Sequence, residues 1–281
     1  MSNKRVSVII PVYNEERVII QCLESLHKQT GVDFEVVVVD DGSTDKTLDY
    51  IHAYRPTSFV LKILTQNHKG PGAARNYAAS HAQYDILVFV DADMTFEKRF
   101  LKQLVMPIFA NKTRGTFSTS EYVSNWNNVW ARCLNINEGW PAKKRHPKGT
   151  KENKVFRAIL KREFERVGGF TPDGYTDDWS LGEKLGYEAV DAAKAVFFHD
   201  NPDNLGEIIR HAQWVGKRKY KLGTFGNIFA LIRASLLFSI VIGTYKAILS
   251  RTPEFLVYKV IFDIGIFWGI IKYLLIRNGA K

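Results

Sequence analysis

VSVIIPVYNEERVIIQCLESLHKQTGVDFEVVVVDDGS, residues 6–43, decides the fold. Val6–Pro11 is an apolar run closed by a proline, and Phe34–Val39 is a second, closed by two aspartates. Runs this short and this apolar read as strands buried on both faces. Between them Val18, Ile19, Cys22, Leu23 and Leu26 recur at helical spacing, so Glu15–Lys28 reads as a helix. Working outward, Asp45–Tyr54 reads as a helix, Val60–Thr65 as a strand, Gly72–His81 as a helix, Ile86–Val90 as a strand and Phe96–Phe109 as a helix. Strands that alternate with helices in this way predict an α/β fold, a mostly parallel sheet covered on both faces. Further on, Phe156–Leu160 reads as a strand, KREFERVGGF (161–170) as a short helix, Thr176–Leu185 as another, and Ala195–Phe198 as a short strand ending at His199. The stretch 115–169 is otherwise irregular. It holds Trp126, Asn127, Asn128 and Trp130, and a basic loop over 141–154 that reads as a solvated excursion.

In parallel sheets, ligands bind at the carboxyl ends of the strands. Four polar strand ends stand out: Tyr13–Glu15, Asp40–Asp45, Asn67–Asn76 and Asp91–Asp93. In Asp91-Ala92-Asp93, two carboxylates one residue apart can both reach one hard cation, magnesium or manganese, that shares its shell with substrate phosphates. The Asp40-Asp41-Gly42-Ser43 turn offers acceptors to a base N–H or ribose hydroxyl; as a plain turn it caps the next helix. The glycines Gly70 and Gly72 lead into a helix whose N-terminus suits an anion, and Arg75 follows them, either as an anion contact or as a surface residue. This is not a dinucleotide fingerprint: Arg75 stands where the third glycine belongs, and the loop follows the third strand.

The chain has 281 residues, 46% hydrophobic and 24% charged, a composition that excludes a disordered chain. Cys22 and Cys133 match no metal spacing and read as free thiols. The N-terminal apolar run is too short and too soon polar for a signal peptide, so the catalytic part is expected in the cytoplasm. Residues 205–281 carry twelve basic side chains against three acidic ones, nearly all of the +10 net charge. Two long apolar segments there, Ile228–Leu249 and Phe255–Ile276, are interrupted by Arg233, Lys246, Lys259, Asp263 and Lys272. They read as a membrane-spanning hairpin, as in-plane amphipathic helices, or as a pair packed on protein. Basic residues interleaved with apolar runs favour anionic lipid over nucleic acid.

Taken together, VSVIIPVYNEE (6–16), VVVVDDGSTDKT (36–47), GPGAARN (70–76), VFVDADM (88–94) and YTDDWSLGEKL (175–185) resemble family 2 glycosyltransferases of the GT-A fold. The resemblance covers about residues 5–205 in motif order, and the combination is far more specific than any one motif. It implies a catalytic domain over 1–205, while the apolar runs make 206–281 a membrane-prone helical region. It implies that Pro11, Val12, Tyr13, Glu15, Asp40, Asp41, Gly70, Arg75, Asp91 and Ala92 line the nucleotide-sugar. Asp93 is then the more direct ligand of Mn2+ or Mg2+, and Asp91 approaches the ribose. Asp178 is the base, Asp177 orients the acceptor, and Trp179 stacks on a sugar or packs in the core. In some relatives a histidine near His199 completes the metal site; a structural histidine is the alternative. Lys217 or Arg218 reaches the diphosphate or lies on a basic interfacial helix, in a stretch whose order departs from the Q-x-x-R-W helix of polymerising relatives.

The expected function is inverting transfer of a sugar from a nucleotide donor, UDP before GDP, to a hydroxyl of a glycan or lipid-linked acceptor. The enzyme is expected on the membrane with its catalytic domain on the cytoplasmic face, and with no nucleic-acid partner. Transfer to a polyprenyl phosphate is the nearest rival: that acceptor needs no base. A non-catalytic nucleotide-sugar or membrane-surface module is the rival of another class.

Overall fold

The computed structural model describes residues 5–145, 155–172, 177–217, 220 and 223–276; of Asp177, Asp178, Thr224 and Ile276 it describes the backbone alone. The elements in chain order are β1 (Arg5–Val12), α1 (Ile19–His27), β2 (Asp33–Asp40), α2 (Thr47–Ala53), β3 (Val60–Thr65), α3 (Pro71–His81), β4 (Ile86–Phe89), β5 (Met94–Phe96), α4 (Phe100–Phe109), β6 (Gly115–Phe117), β7 (Glu121–Val123), α5 (Val129–Glu138), β8 (Ala158–Leu160), α6 (Lys161–Arg166), α7 (Asp177–Leu185), β9 (Val190–Asp191), β10 (Phe197–His199), α8 (Leu205–Gly216), α9 (Gly223–Arg233), α10 (Leu236–Ser250) and α11 (Glu254–Ile276). The described residues fall into two compact units: 5–122, 155–172 and 177–199 in one, 123–145, 200–217, 220 and 223–276 in the other.

The first unit is built on a seven-stranded sheet of order β3-β2-β1-β4-β8-β6-β9. β3, β2, β1 and β4 run parallel, while β8 enters antiparallel to β4 and β6. Side chains alternate across the strands. Val6, Val8, Ile10, Val36, Val38 and Val88 therefore pack on one face with Cys22, Leu23 and Leu26 of α1 and Leu101 and Leu104 of α4. Ile9, Val37, Val39, Leu87 and Phe89 pack on the other with Ala74 and Ala78 of α3 and Leu181 and Leu185 of α7. Both faces being covered, the strands carry unbroken apolar runs. This is the α/β architecture expected.

Two boundaries differ from expectation for local reasons. α1 starts at Ile19, not Glu15, because the residues before it are tied to the loop after β2 and to the start of α2. The Glu15 N–H donates to Thr47 Oγ1 at 2.7 Å, and the Glu16 N–H donates to Asp45 Oδ2. The helix expected from Phe96 begins instead at Phe100, since Met94, Thr95 and Phe96 pair as β5 with His199, Phe198 and Phe197 of β10. That pairing makes a second sheet, β5-β10-β7, which carries the site's farther wall.

The second unit is helical. Cys133 and Leu134 of α5, Ile208 and Ala212 of α8, and Phe255, Tyr258 and Phe262 of α11 form its core. The first long apolar segment is not one helix but two, α9 and α10, bent by 59° at a short break. Among the described residues no single helix is long and apolar enough to cross a membrane, although α9 and α10 together meet that test.

Candidate active site

β2, β1 and β4 are neighbours and parallel, so their carboxyl ends open on one edge of the sheet. Three loops meet there. The loop after β1 and the loop after β2 are laced together: the Asn14 N–H donates to Ser43 Oγ at 2.9 Å, and the Thr44 N–H donates to Asn14 Oδ1 at 2.8 Å. Asn14 reaches this position with φ of 58°, a left-handed conformation that asparagine tolerates. Ser43, Thr44 and Asp45 are thus turn builders.

Asp41 is a hub. Its Oδ1 accepts from Gln66 Nε2 at 2.6 Å and from the Lys69 N–H at 2.9 Å. Its Oδ2 accepts from the Gly70 N–H at 2.8 Å and lies 2.9 Å from His68 Nδ1. A carboxylate has about four acceptor sites; three of them take these hydrogen bonds, and His68 lies beside the fourth. Gly70 turns the chain with φ of 91°, where a side chain is strained, and so delivers its N–H to Asp41 before α3 begins. Asp40 is buried beside it, but its contacts with the Ser43 N–H are long ones, 3.3 and 3.4 Å. Tyr13, 43% exposed, lies with its ring centroid 4.1 Å from that of His68. Pro11, Val12 and Glu15 follow the same β1 end.

The β4 end holds the acidic pair. Asp91 lies between two arginines: Arg75 of α3 donates to its Oδ1 at 2.6 Å, and Arg157, just before β8, donates to its Oδ2 at 3.2 Å. Burial works against ionisation of Asp91, but Arg75, Arg157 and His199 outweigh it and hold the carboxyl far below the usual range. Ala92 is buried between the two acids. Asp93 points elsewhere. Its Oδ2 lies 2.8 Å from His199 Nε2, and His199 Nδ1 lies 2.9 Å from Glu121 Oε1. Burial first, then the carboxylates of Asp93, Asp91 and Asp45, push the Glu15 carboxyl up to about 8, with His199 pulling the other way. The Cys22 thiol is raised by burial and then by Asp93, Asp91 and Glu15, so it stays an inert thiol.

This concentration of acid suits a divalent cation. Among the described residues no three His, Cys, Asp or Glu side chains form a complete metal cage. A carboxylate from the protein, with most of the shell from the oxygens of a diphosphate, is the pattern manganese and magnesium accept, and His199 stands beside that carboxylate as a nitrogen donor.

A family model described as glycosyl transferase family 2 matches residues 7–168, more than half of the chain. The chain belongs to glycosyl transferase family 2. Among curated relatives, it is 46% identical over 100 residues to the poly(ribitol-phosphate) beta-N-acetylglucosaminyltransferase TarS of Staphylococcus aureus, a stretch covering 34% of this chain and 17% of that protein. It is 43% identical over 93 residues to a poly(ribitol-phosphate) beta-glucosyltransferase of Bacillus spizizenii, covering 32% and 15%. The matched stretch is thus about a sixth of these relatives' length. Among solved structures, S. aureus TarS 1–349 in complex with UDP-GlcNAc aligns at a TM-score of 0.58 and 20% identity, over 96% of this chain and 92% of that one. The mannosyltransferase PcManGT of Pyrobaculum calidifontis, in complex with GDP-Man and Mn2+, aligns at 0.61 and 22%, over 96% and 86%. At these identities the structures establish the fold.

Five further residues were expected at the site: Asp177, Asp178, Trp179, Lys217 and Arg218. α7 opens at Asp177, so Asp177 and Asp178 stand in its first turn, but their side chains lie outside the described residues. Trp179 is 50% exposed and is no core residue. Lys217 follows the end of α8, and Arg218 lies outside the described residues. Sequence reading missed Gln66, His68, Glu121 and Arg157. Arg157 carried one usable signal, a basic residue directly before the buried run Ala158–Leu160.

Proposed function

We propose that this chain transfers a sugar with inversion from a nucleoside-diphosphate sugar, UDP-linked, to a hydroxyl of a cell-envelope glycan. The observation that carries the reading is the division of labour at the β4 end, where Asp91 is held by Arg75 and Arg157 while Asp93 faces His199. Tyr13 and His68 offer flat faces to a base, and Asp40 retains capacity to accept from a base N–H or ribose hydroxyl. Asp93 and His199 would hold Mn2+ or Mg2+, and that ion supplies charge neutralisation for the departing diphosphate. The proton of the acceptor hydroxyl passes to Asp178 as the oxygen bonds to the anomeric carbon. The bond from that carbon to the diphosphate oxygen breaks with its electron pair, and UDP leaves from the opposite face. The donor assignment draws on the UDP-GlcNAc complex of TarS, and the acceptor assignment on the poly(ribitol-phosphate) transferases.

A thermal-shift screen of UDP- and GDP-sugars with and without manganese tests the donor, since a ligand bound only to the folded state raises the melting temperature. A stabilisation by UDP-sugars that needs manganese is expected; none with any nucleotide would end the proposal. Product analysis with a glycan and with a polyprenyl phosphate separates the two acceptors. Transfer to the lipid phosphate alone would overturn the hydroxyl reading.

The same proposal seats the chain on the cytoplasmic face of a membrane. α9 and α10 turn Phe225, Phe229, Leu237, Val241, Ile248 and Leu249 outward, with Phe225 79% and Leu237 72% exposed. The polar groups point inward instead: Ser239 Oγ donates to Asp263 Oδ2 at 2.7 Å, and Lys259 Nζ donates to Asp263 Oδ1 at 2.6 Å. Exposed Arg233, Arg251 and Lys272 complement anionic headgroups. Flotation with phosphatidylglycerol vesicles, and little with phosphatidylcholine vesicles, is the expected result. A stable dimer with no flotation would assign this face to a second copy.

A further inference from the structure

We infer that Glu121 is a positioning residue for the metal site: through His199 it sets which ring nitrogen is offered beside Asp93. The inference rests on the metal reading above and concerns a residue one step behind it. Three short strands bring the parts together. β5 follows Asp93 and pairs antiparallel with β10, placing His199 opposite Met94, the residue next to Asp93. β7 lies on the other side of β10 and begins with Glu121. The outcome is a row of three groups: Asp93 Oδ2 is 2.8 Å from His199 Nε2, and His199 Nδ1 is 2.9 Å from Glu121 Oε1.

The chemistry of the row is directional. An imidazole binds a cation through a nitrogen that carries no proton. A cation held by Asp93 meets the Nε2 lone pair only when the ring proton sits on Nδ1. Glu121 Oε1 is the acceptor that keeps it there, and in doing so it also fixes the ring plane and raises the basicity of Nε2. The surroundings of Glu121 suit this role. It is 7% exposed, so water does not compete for its oxygens, and it sits on a strand and not on a loop. A buried carboxylate is costly to place without strong partners, so a Glu121 serving packing alone would be poorly chosen against an apolar residue.

The test titrates manganese into the full chain with UDP present and reads free Mn2+ by electron paramagnetic resonance. It uses wild type, Glu121→Gln and Glu121→Leu. The Gln variant keeps a neutral acceptor for Nδ1–H, and the Leu variant removes it. Manganese affinity is expected to fall about 10–100-fold in Glu121→Leu, the range found for lost partners of metal-bound histidines, and less in Glu121→Gln. UDP binding measured in EDTA is expected to be unchanged in both. Wild-type manganese affinity in either folded variant together with a lowered melting temperature would make Glu121 merely structural and overturn the inference. If Glu121→Leu does not fold, Glu121→Gln with wild-type manganese affinity at every UDP concentration overturns it alone. Wild-type protein whose UDP binding ignores manganese would instead defeat the metal reading itself, which is a distinct result.

Discussion

The β2 end and the β4 end each present two carboxylates, and each uses them differently. At the β2 end, Asp41 holds Gln66, Lys69, Gly70 and His68 while Asp40 keeps only long contacts. At the β4 end, Asp91 is clamped by two arginines and Asp93 faces His199. In the proposed function, one acid at each end shapes the loop and its neighbour remains for a ligand. Position in a motif does not decide which is which; the partners brought by distant segments do. The member held by strong partners is also the one whose removal leaves orphaned buried donors.

The sharpest break comes at the β4 end. Asp93→Asn is expected to lower the transfer rate at least 10²-fold, the scale of losing one fixed electrostatic contact to a leaving group, with melting temperature almost unmoved. Steady-state kinetics with the donor found by thermal shift would check it. At the β2 end the two acids should separate cleanly. Asp41→Ala strands two backbone N–H groups and should destabilise the fold by about 2–4 kcal/mol in urea unfolding. Asp40→Ala should cost under ~1 kcal/mol yet weaken UDP binding about tenfold. Equal stability losses at both positions would erase the distinction.

The smallest effect concerns Glu15. Its carboxyl stays protonated in the folded, metal-free protein up to about pH 8, whereas the unfolded chain releases that proton near its ordinary value of 4.5. Between those values the folded state binds more protons, so stability falls as pH rises through this window. Glu15→Gln removes that slope. In EDTA its melting temperature should exceed wild type by a few degrees at pH 8, with the gap closing towards pH 5. A gap that is constant with pH would place the burden elsewhere.

The strand ends were legible because they are local. A buried run followed by acid marks a ligand edge in a parallel sheet, and Asp40, Asp41, Asp91 and Asp93 all follow such runs. What decides their roles was not legible. Arg157 lies 66 positions from Asp91, and Glu121 lies 78 from His199. Those pairs depend on β8 entering antiparallel and on β7 lying beside β10: Phe156–Leu160 and Ala195–Phe198 read as strands, but their direction and neighbours were not legible, and the three residues of β7 are too few for a period to be read. α5 was hidden for another reason: its apolar face is broken by Asn135 and Asn137, and only the Asn128 cap and Gly139, at φ of 70°, mark its ends. Apolar content was legible in the tail, but not the break at residues 234–235 that turns one long segment into α9 and α10.

The most direct test is calorimetric titration of UDP into wild type and Asp93→Asn, each in manganese and in EDTA. The prediction is that manganese tightens UDP binding at least ~10-fold in wild type and has no effect in the variant, with the two proteins equal in EDTA. Equal tightening in both, or none in wild type, would contradict the claim that Asp93 holds the metal that grips the diphosphate.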